Sequence, residues 1–596
     1  MKRILIGGLT IIGGIAVAVV AGVVLAIGLG ILLWWINTGV PNQVILEMNF
    51  ERKHIEAAPT DPIARVFSDD TVVVRDVVEA LERAAHDHRV KALVARVGEA
   101  DISLAQIQEV RDALLAFRHT GKPAVAYAET FGEFGPGNRA YYLATAFDAI
   151  YLHPSGDVGL TGLIAESPFL RGTLEKLGLT PRLDHREEYK TAMNLVTERQ
   201  YTAAHKEVVW RVIQSQFGQI VRGITESRGL TEPEVLPLID RGPFSARQAM
   251  EAKLVDGLRY RDQVYAQVKE EVGEDAKVLP LLTYLARVGR PHTHGSSIAL
   301  IYGMGGIKRG KSGSNPLFQS PSMGSDTVTA AFRAAIEAED IKAILFRVDS
   351  PGGSYVASDA IWRETVRARE AGKPVIVSMG NVAASGGYFI AMAADKIVAQ
   401  PATLTGSIGV ISGKMLTPDF WNQVGVTWDN VHTSANATFW STLHDYTPQQ
   451  WEQLRDWLDR IYDDFTNKVA EGRSLPKAKV LEIAGGRVWT GEDAKALGLV
   501  DALGGLPVAL RLAKEAAGIP EEAPVRLKVF PPKKAVYQIL LQRLLGDSED
   551  DREEDGTAAT LVRGLEISQP LIRLVKRLDF GHVIGILSMP YVEVGH

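Results

Sequence analysis

The chain is built from two copies of one unit. VKALVAR at 90–96 lies over IKAILFR at 341–347, and GKPAVAY at 121–127 over GKPVIVS at 372–378, both 251 positions apart. Further on, DAIYLHPSGDVGLTG at 148–162 meets DKIVAQPATLTGSIG at 395–409 at an offset of 247, so the first copy holds four extra residues, with EFGPGN at 133–138 the expected insertion. ESRGL at 226–230 then matches EGRSL at 471–475, and KLVD at 253–256 matches GLVD at 498–501. A unit of about 250 residues is far beyond the roughly 20–50 residues of a solenoid repeat. The chain therefore divides into domains with separate cores, as 596 residues require. The linker falls at ARVGRPHTHGSS, 286–297, giving units over 41–290 and 291–525 with an extension over 526–596.

Each unit alternates strand and helix. IKAILFRVD is an apolar, β-branched run of strand length, YVASDAIWRETVRAREA has helical spacing, and PVIVSM is again a strand. A Gly-rich turn, a helix through YFIAMAA and a strand at KIVAQ follow. This order predicts an α/β fold with parallel sheets and right-handed crossover helices. Reactive groups in such sheets sit at the carboxyl ends of strands.

The first 40 residues stand apart. After Lys2 and Arg3, Ile4 to Ile36 carries no charge and ends near Trp34-Trp35. That run exceeds the roughly 20 residues that span hydrocarbon and is too long for a cleaved signal. It predicts an uncleaved transmembrane anchor with Lys2 and Arg3 cytoplasmic and the body on the far side, the periplasm in a bacterium. A net charge of −6 offers no footprint for nucleic acid. With no cysteine, disulfides and thiol catalysis are excluded, and no His/Cys cluster calls for a metal.

Two turns in the second unit carry candidate chemistry. In DSPGGS, 349–354, Gly352 and Gly353 follow a strand end and can turn amide N–H groups into a cleft, as half of an oxyanion hole. In AASGGY, 383–388, Ser385 is presented on a sharp strand-to-helix turn with the Gly386 amide beside it. A serine nucleophile needs a base. His432 and His444 are available in the second unit. The duplication offers another: the offset of 247 sets Lys190 of HREEYKTAMN over Ala437 and Asn138 over Ser385, while the offset of 251 sets EADI at 99–102 over SPGG. One unit keeps a lysine without a serine; the other keeps serine and glycines without the lysine. Two facing units can assemble one site from both remnants.

With RVDSPGGS, NVAASGGY, TLTGSIGV and EEYKTAMN in this order behind an apolar anchor, the chain resembles the signal peptide peptidase A family in its long, duplicated form, also called protease IV. That family's fold is similar to the Clp protease and crotonase superfamily. The resemblance implies Ser385 as nucleophile, Lys190 as general base and Ser407 as the hydroxyl that holds the amine. It also implies Gly352, Gly353 and Gly386 as oxyanion backbone, no cofactor, a homotetrameric bowl facing the membrane, and hydrophobic peptides such as signal peptides as substrates. One departure is Asp349, where the family often has Asn. A crotonase-type acyl-CoA enzyme and a non-catalytic membrane scaffold are the alternative readings of the same fold. The acidic run DSEDDREED at 547–555 reads as a solvated linker, and the apolar stretch closing the chain as a segment that docks on the body or the membrane surface.

Overall fold

The computed structural model describes residues 39–58, 71–99, 101–315, 320–531 and 587–588. The expected anchor over Ile4–Ile36 and the acidic run at 547–555 lie outside them. Among the described residues, no helix is long and apolar enough to cross a membrane.

The fold is mixed α/β around two parallel sheets. The first runs in the order Gly257–Leu258, Ala149–Leu152, Ala124–Ala128, Val90–Arg96, Val44–Asn49, Lys277–Pro280, every pair parallel. The second repeats it as Ala502–Leu503, Lys396–Ala399, Val375–Ala384, Ile341–Ser350, Ser296–Met304, Val525–Phe530. It adds Leu404–Gly406 and an antiparallel edge, Val488–Thr490.

Strands buried on both faces read as continuous apolar runs. Along Ile341–Ser350, Ile344, Phe346 and Val348 enter the core beneath Phe332 and Ile361, while Ala343 and Leu345 pack on Leu506 and Leu510 on the other face. Val90–Arg96 divides in the same way, Leu93 and Ala95 to one core and Ala92 and Val94 to the other. Covering helices begin on matched caps: Ser103 closes a capping box on Leu104–Arg118, and the Ser354 hydroxyl accepts from Ala357 N at the start of Tyr355–Glu370. The helix expected through YFIAMAA is one turn, Gly386–Phe389. Residues 388–392 are all fully buried, so no polar face exists from which a helical period could be read.

One antiparallel ladder joins the units. Thr180–His185 leaves the first and pairs with Ile411–Leu416 of the second, from Thr180 opposite Leu416 to His185 opposite Ile411. A buried charge cluster also spans the units, where Arg347 donates to Glu56 at 2.8 Å and Glu109 at 2.7 Å. Glu109 also accepts from Leu506 N at 2.7 Å.

Candidate active site

The strand Val375–Ala384 delivers Ser385 to the junction. Ser385 has φ 55° and ψ −115°, a strained conformation for a side chain with a Cβ. It is held because Ser385 N donates to Gly406 O at 2.8 Å and Phe389 N to Ser385 O at 2.9 Å. The two following glycines are sterically required: a Cβ on Gly387 would lie 2.4 Å from Ser350 O, and one on Gly386 3.1 Å from Gly353 N.

Lys190 arrives from the other unit, just beyond the ladder strand Thr180–His185. Its Nζ is 2.7 Å from Ser385 Oγ, 2.9 Å from Ser407 O and 3.0 Å from Ser407 Oγ. The side chain is wholly buried, and burial alone pushes its pKa well below the ordinary lysine value. The neutral amine suits these contacts: two N–H bonds go to Ser407, and one lone pair faces the Ser385 hydroxyl. Ser407, itself at φ 49°, is fixed by its own N–H on Arg487 O at 2.7 Å.

Of the candidate bases, Lys190 is the one placed on Ser385. His432 bonds Ser434 O at 3.0 Å and His444 bonds Asn430 at 2.9 Å, both on an exposed segment.

The glycine turn lies against the serine. Gly352 and Gly353 have φ 103° and 153°, open to glycine alone. Gly352 N donates to Ser350 Oγ at 3.1 Å, so its amide is already engaged, while a Cβ on Gly386 would lie 3.1 Å from Gly353 N, which sets the Gly386 backbone against the Gly353 amide. The free side of this turn accepts a strand: Leu587–Ser588 pairs antiparallel with it, Gly352 opposite Ser588 and Gly353 opposite Leu587.

Asp349 precedes the turn where the ladder slips, Val348 pairing with Met379 and Ser350 with Ala383. Its carboxylate accepts the freed Val382 N–H at 2.8 Å. Burial, and then the nearby Glu56 carboxylate, raise its pKa to about 7.

Two further residues escaped the sequence reading. A Cβ on Gly486, φ 80°, would lie 2.5–2.6 Å from the Lys190 N, Cα and Cβ, and one on Gly409 3.2 Å from Lys190 Cδ. Together they form the slot for the lysine stem. Gly409 lies inside TLTGSIGV with no role assigned to it there, and the signal for Gly486 was the Gly pair 485–486 after a helix, which reads equally as a turn.

The model of Peptidase family S49 matches residues 116–275 and 367–520, once in each unit. The chain is 32% identical over 472 residues to the chloroplastic serine protease SPPA of Arabidopsis thaliana, covering 78% of this chain and 68% of that one. It is 31% identical to Protease 4 of Salmonella typhi, over 79% and 76% of the two chains. It is 30% identical to Protease 4 of Haemophilus influenzae, over 85% and 82%. The chain belongs to peptidase family S49 and is a serine peptidase.

Proposed function

We propose that this peptidase cleaves hydrophobic peptide segments, signal peptides among them, with a Ser385–Lys190 dyad. The observation that carries the reading is the 2.7 Å contact between Lys190 Nζ and Ser385 Oγ in a site without water access to the amine. A lysine in water has a pKa near 10.4 and cannot act as a base at neutral pH. Desolvated, it takes the Ser385 proton as Oγ attacks the peptide carbonyl. The oxyanion rests on the Gly353 and Gly386 amides, with Gly352 shaping the turn through its positive φ. The Lys190 ammonium returns its proton to the departing amine, leaving an acyl-enzyme. The amine, neutral again, takes a proton from water as it attacks the ester, and Ser385 is regenerated when the proton passes back to Oγ. Ser407 holds the Lys190 nitrogen against Ser385 Oγ in both its neutral and its protonated form.

The pairing of Leu587–Ser588 with the glycine turn supports an extended peptide as substrate, since that edge accepts a backbone strand. A relative from Enterococcus faecium, 32% identical over 192 residues, is named as a putative signal peptide peptidase, which supports the substrate class. The uncharged run Ile4–Ile36 supports anchoring in the bacterial inner membrane with the body periplasmic; the homotetramer rests on the family resemblance alone. A serine-directed phosphonate should label the purified full chain at Ser385 and abolish hydrolysis of an apolar reporter peptide. Labelling and hydrolysis that persist in Ser385→Ala would overturn the assignment.

A further inference from the structure

The arm Thr180–His185 brings Lys190 across the junction, yet no opposite charge draws the amine in. Its bonds run to Ser385 Oγ, Ser407 O and Ser407 Oγ, and burial is the one cause that shifts its pKa. An amine without a charged partner is better solvated in water than in such a site. The insertion must be held by what grips the chain beside Lys190.

The residue before it, Tyr189, is gripped from both units. Its ring packs against the apolar cluster of Val208, Val212, Leu404 and Val488. The Arg487 guanidinium lies over the same ring, 4.0 Å from its centroid, and 5.1 Å from that of Trp489. Arg487 also donates to Glu207, and the Tyr189 hydroxyl donates to the same carboxylate at 3.1 Å. Tyr189 and Glu207 of the first unit and Arg487 of the second thus close a ring of contacts across the junction. The Arg487 backbone serves the other end of the site: its carbonyl accepts the Ser407 N–H at 2.7 Å, and Gly486, just before it, closes on the lysine stem.

The matching place in the first unit has no room for this residue. Asp157 pairs with Ser245 as Leu404 pairs with Thr490, which sets Gly242 where Arg487 stands and Leu160 where Ser407 stands. A Cβ on Gly242 would lie 2.0 Å from Leu160 O. Asn436 takes the place of Tyr189, and Ala437 that of Lys190. The guanidinium and the ring beneath it occur together where an amine has to be seated.

We propose that Arg487 and Tyr189 are positioning residues for Lys190: the guanidinium clamps the Tyr189 ring, and through it the adjoining Lys190 backbone, so that the amine stays pressed on Ser385. The proposal rests on the Ser385–Lys190 dyad. Attraction between a cation and a ring face grows as water is excluded, and the Arg487 side chain is only 19% exposed. A flat guanidinium can stack on the ring and bond Glu207 at once, which a lysine ammonium cannot do.

The test is the pH dependence of peptide hydrolysis by full-length variants. A loosened Lys190 gains water, so its pKa climbs towards the free value near 10.4 and the rising limb of kcat/KM moves to higher pH. Arg487→Met should lower kcat at pH 7 by about 10²-fold, as a base displaced by about 1 Å does, with KM unchanged and the loss shrinking as pH rises. Tyr189→Leu removes no charge and should move the limb in the same direction, while Tyr189→Phe, which keeps the ring, should stay near wild type. The Arg487→Met/Tyr189→Leu double variant should be no worse than the poorer single one, because both break one contact. Arg487→Lys, which keeps the charge and loses the stacking face, should fall between wild type and Arg487→Met, and it carries the test if Arg487→Met does not fold. A fall in kcat with the limb in place would show a structural brace and overturn the proposal. A limb that moves in Arg487→Met but not in Tyr189→Leu or Arg487→Lys would show a charge effect and also overturn it. Lys190→Met assayed alongside separates the two readings: activity surviving there overturns the dyad and the clamp together, whereas an inactive Lys190→Met beside an unmoved limb overturns the clamp alone.

Discussion

The two units keep the same scaffold contacts and differ where chemistry is done. Tyr141 Oη donates to Leu254 O at 2.7 Å, and its counterpart Tyr388 to Leu499 O at 3.0 Å. Lys122 gathers the carbonyls of Ala84, Ala85 and Asp87, and Lys373 those of Ala335, Ile336 and Ala338. At the reactive positions the likeness stops. Ser103 and Ser354 both cap a helix, yet before them Asp101-Ile102 replaces Gly352-Gly353. Asn138 takes the place of Ser385 and works as a staple: its Oδ1 accepts from Thr161 N and Gly162 N, both at 3.0 Å, and its Nδ2 donates to Gly162 O at 2.9 Å. What was duplicated as a site has become a brace in one copy. The difference separates residues that hold a sheet together from residues that act on a peptide.

The sharpest way to break this comparison is to remove the one reactive group that the first unit retains. Lys190→Met should fold and lose about 10⁴-fold in turnover, and Lys190→Arg should be as inactive because a guanidinium stays charged. Wild-type activity should rise with pH along a limb displaced below the free-lysine value, since only the neutral amine accepts the serine proton. Stability carries the same signature. The folded chain holds Lys190 neutral where the unfolded chain protonates it, so wild-type stability rises with pH from the lowered pKa up to about 10.4. Lys190→Met should therefore melt higher than wild type at pH 7, with a lead that shrinks towards pH 10. A constant lead in thermal denaturation would show that the amine is not the desolvated group.

Next in size is the slot. Gly486→Ala should reduce kcat/KM by about 10²-fold, because its Cβ meets the Lys190 backbone rather than a movable side-chain tip. Arg241, the matching residue of the first unit, faces no amine, and Arg241→Ala should leave peptidase activity unchanged. Equal losses in the two variants would break the comparison.

Ser407→Ala should cost less, about 10-fold to 10²-fold, the worth of one hydrogen bond that orients the amine. The reciprocal Leu160→Ser should gain nothing, as measured with the same reporter peptide. The smallest effect belongs to Asp349→Asn, which keeps an acceptor for Val382 N–H and removes a carboxylate raised by burial and by Glu56. Between the ordinary Asp value and about 7 the folded state holds a proton that the unfolded chain has lost, so wild-type stability falls as pH rises through that window. The Asn variant should match wild type below about pH 4 and gain on it as pH rises to about 7, read as a growing difference in thermal denaturation.

Much of this was legible before any coordinates. The strands at 341–350 and 375–384 announced themselves as β-branched apolar runs because both faces are buried, and the complementary losses pointed to Lys190 and Ser385. The lysine's route was not legible. Thr180–His185 is only half-buried along its length, so TPRLDH shows neither alternation nor an apolar run, and its partner lies in the other unit. Gly486 was invisible because its requirement comes from a backbone almost 300 positions earlier in the chain. The engagement of the Gly352 amide by Ser350 Oγ likewise depends on one hydroxyl rotamer that no spacing encodes.

The separation of 195 positions between Lys190 and Ser385 also sets a delay. A ribosome adding about 5–20 residues per second needs roughly 10–40 s to travel from one to the other. On the dyad proposed above, the emerging chain carries throughout that interval a base with no hydroxyl to deprotonate. When the hydroxyl is made, it lacks a base until the arm has docked on Ile411–Leu416. On the proposed dyad, the nascent peptidase stays latent until the chain has passed Ser385 and its arm has folded into place.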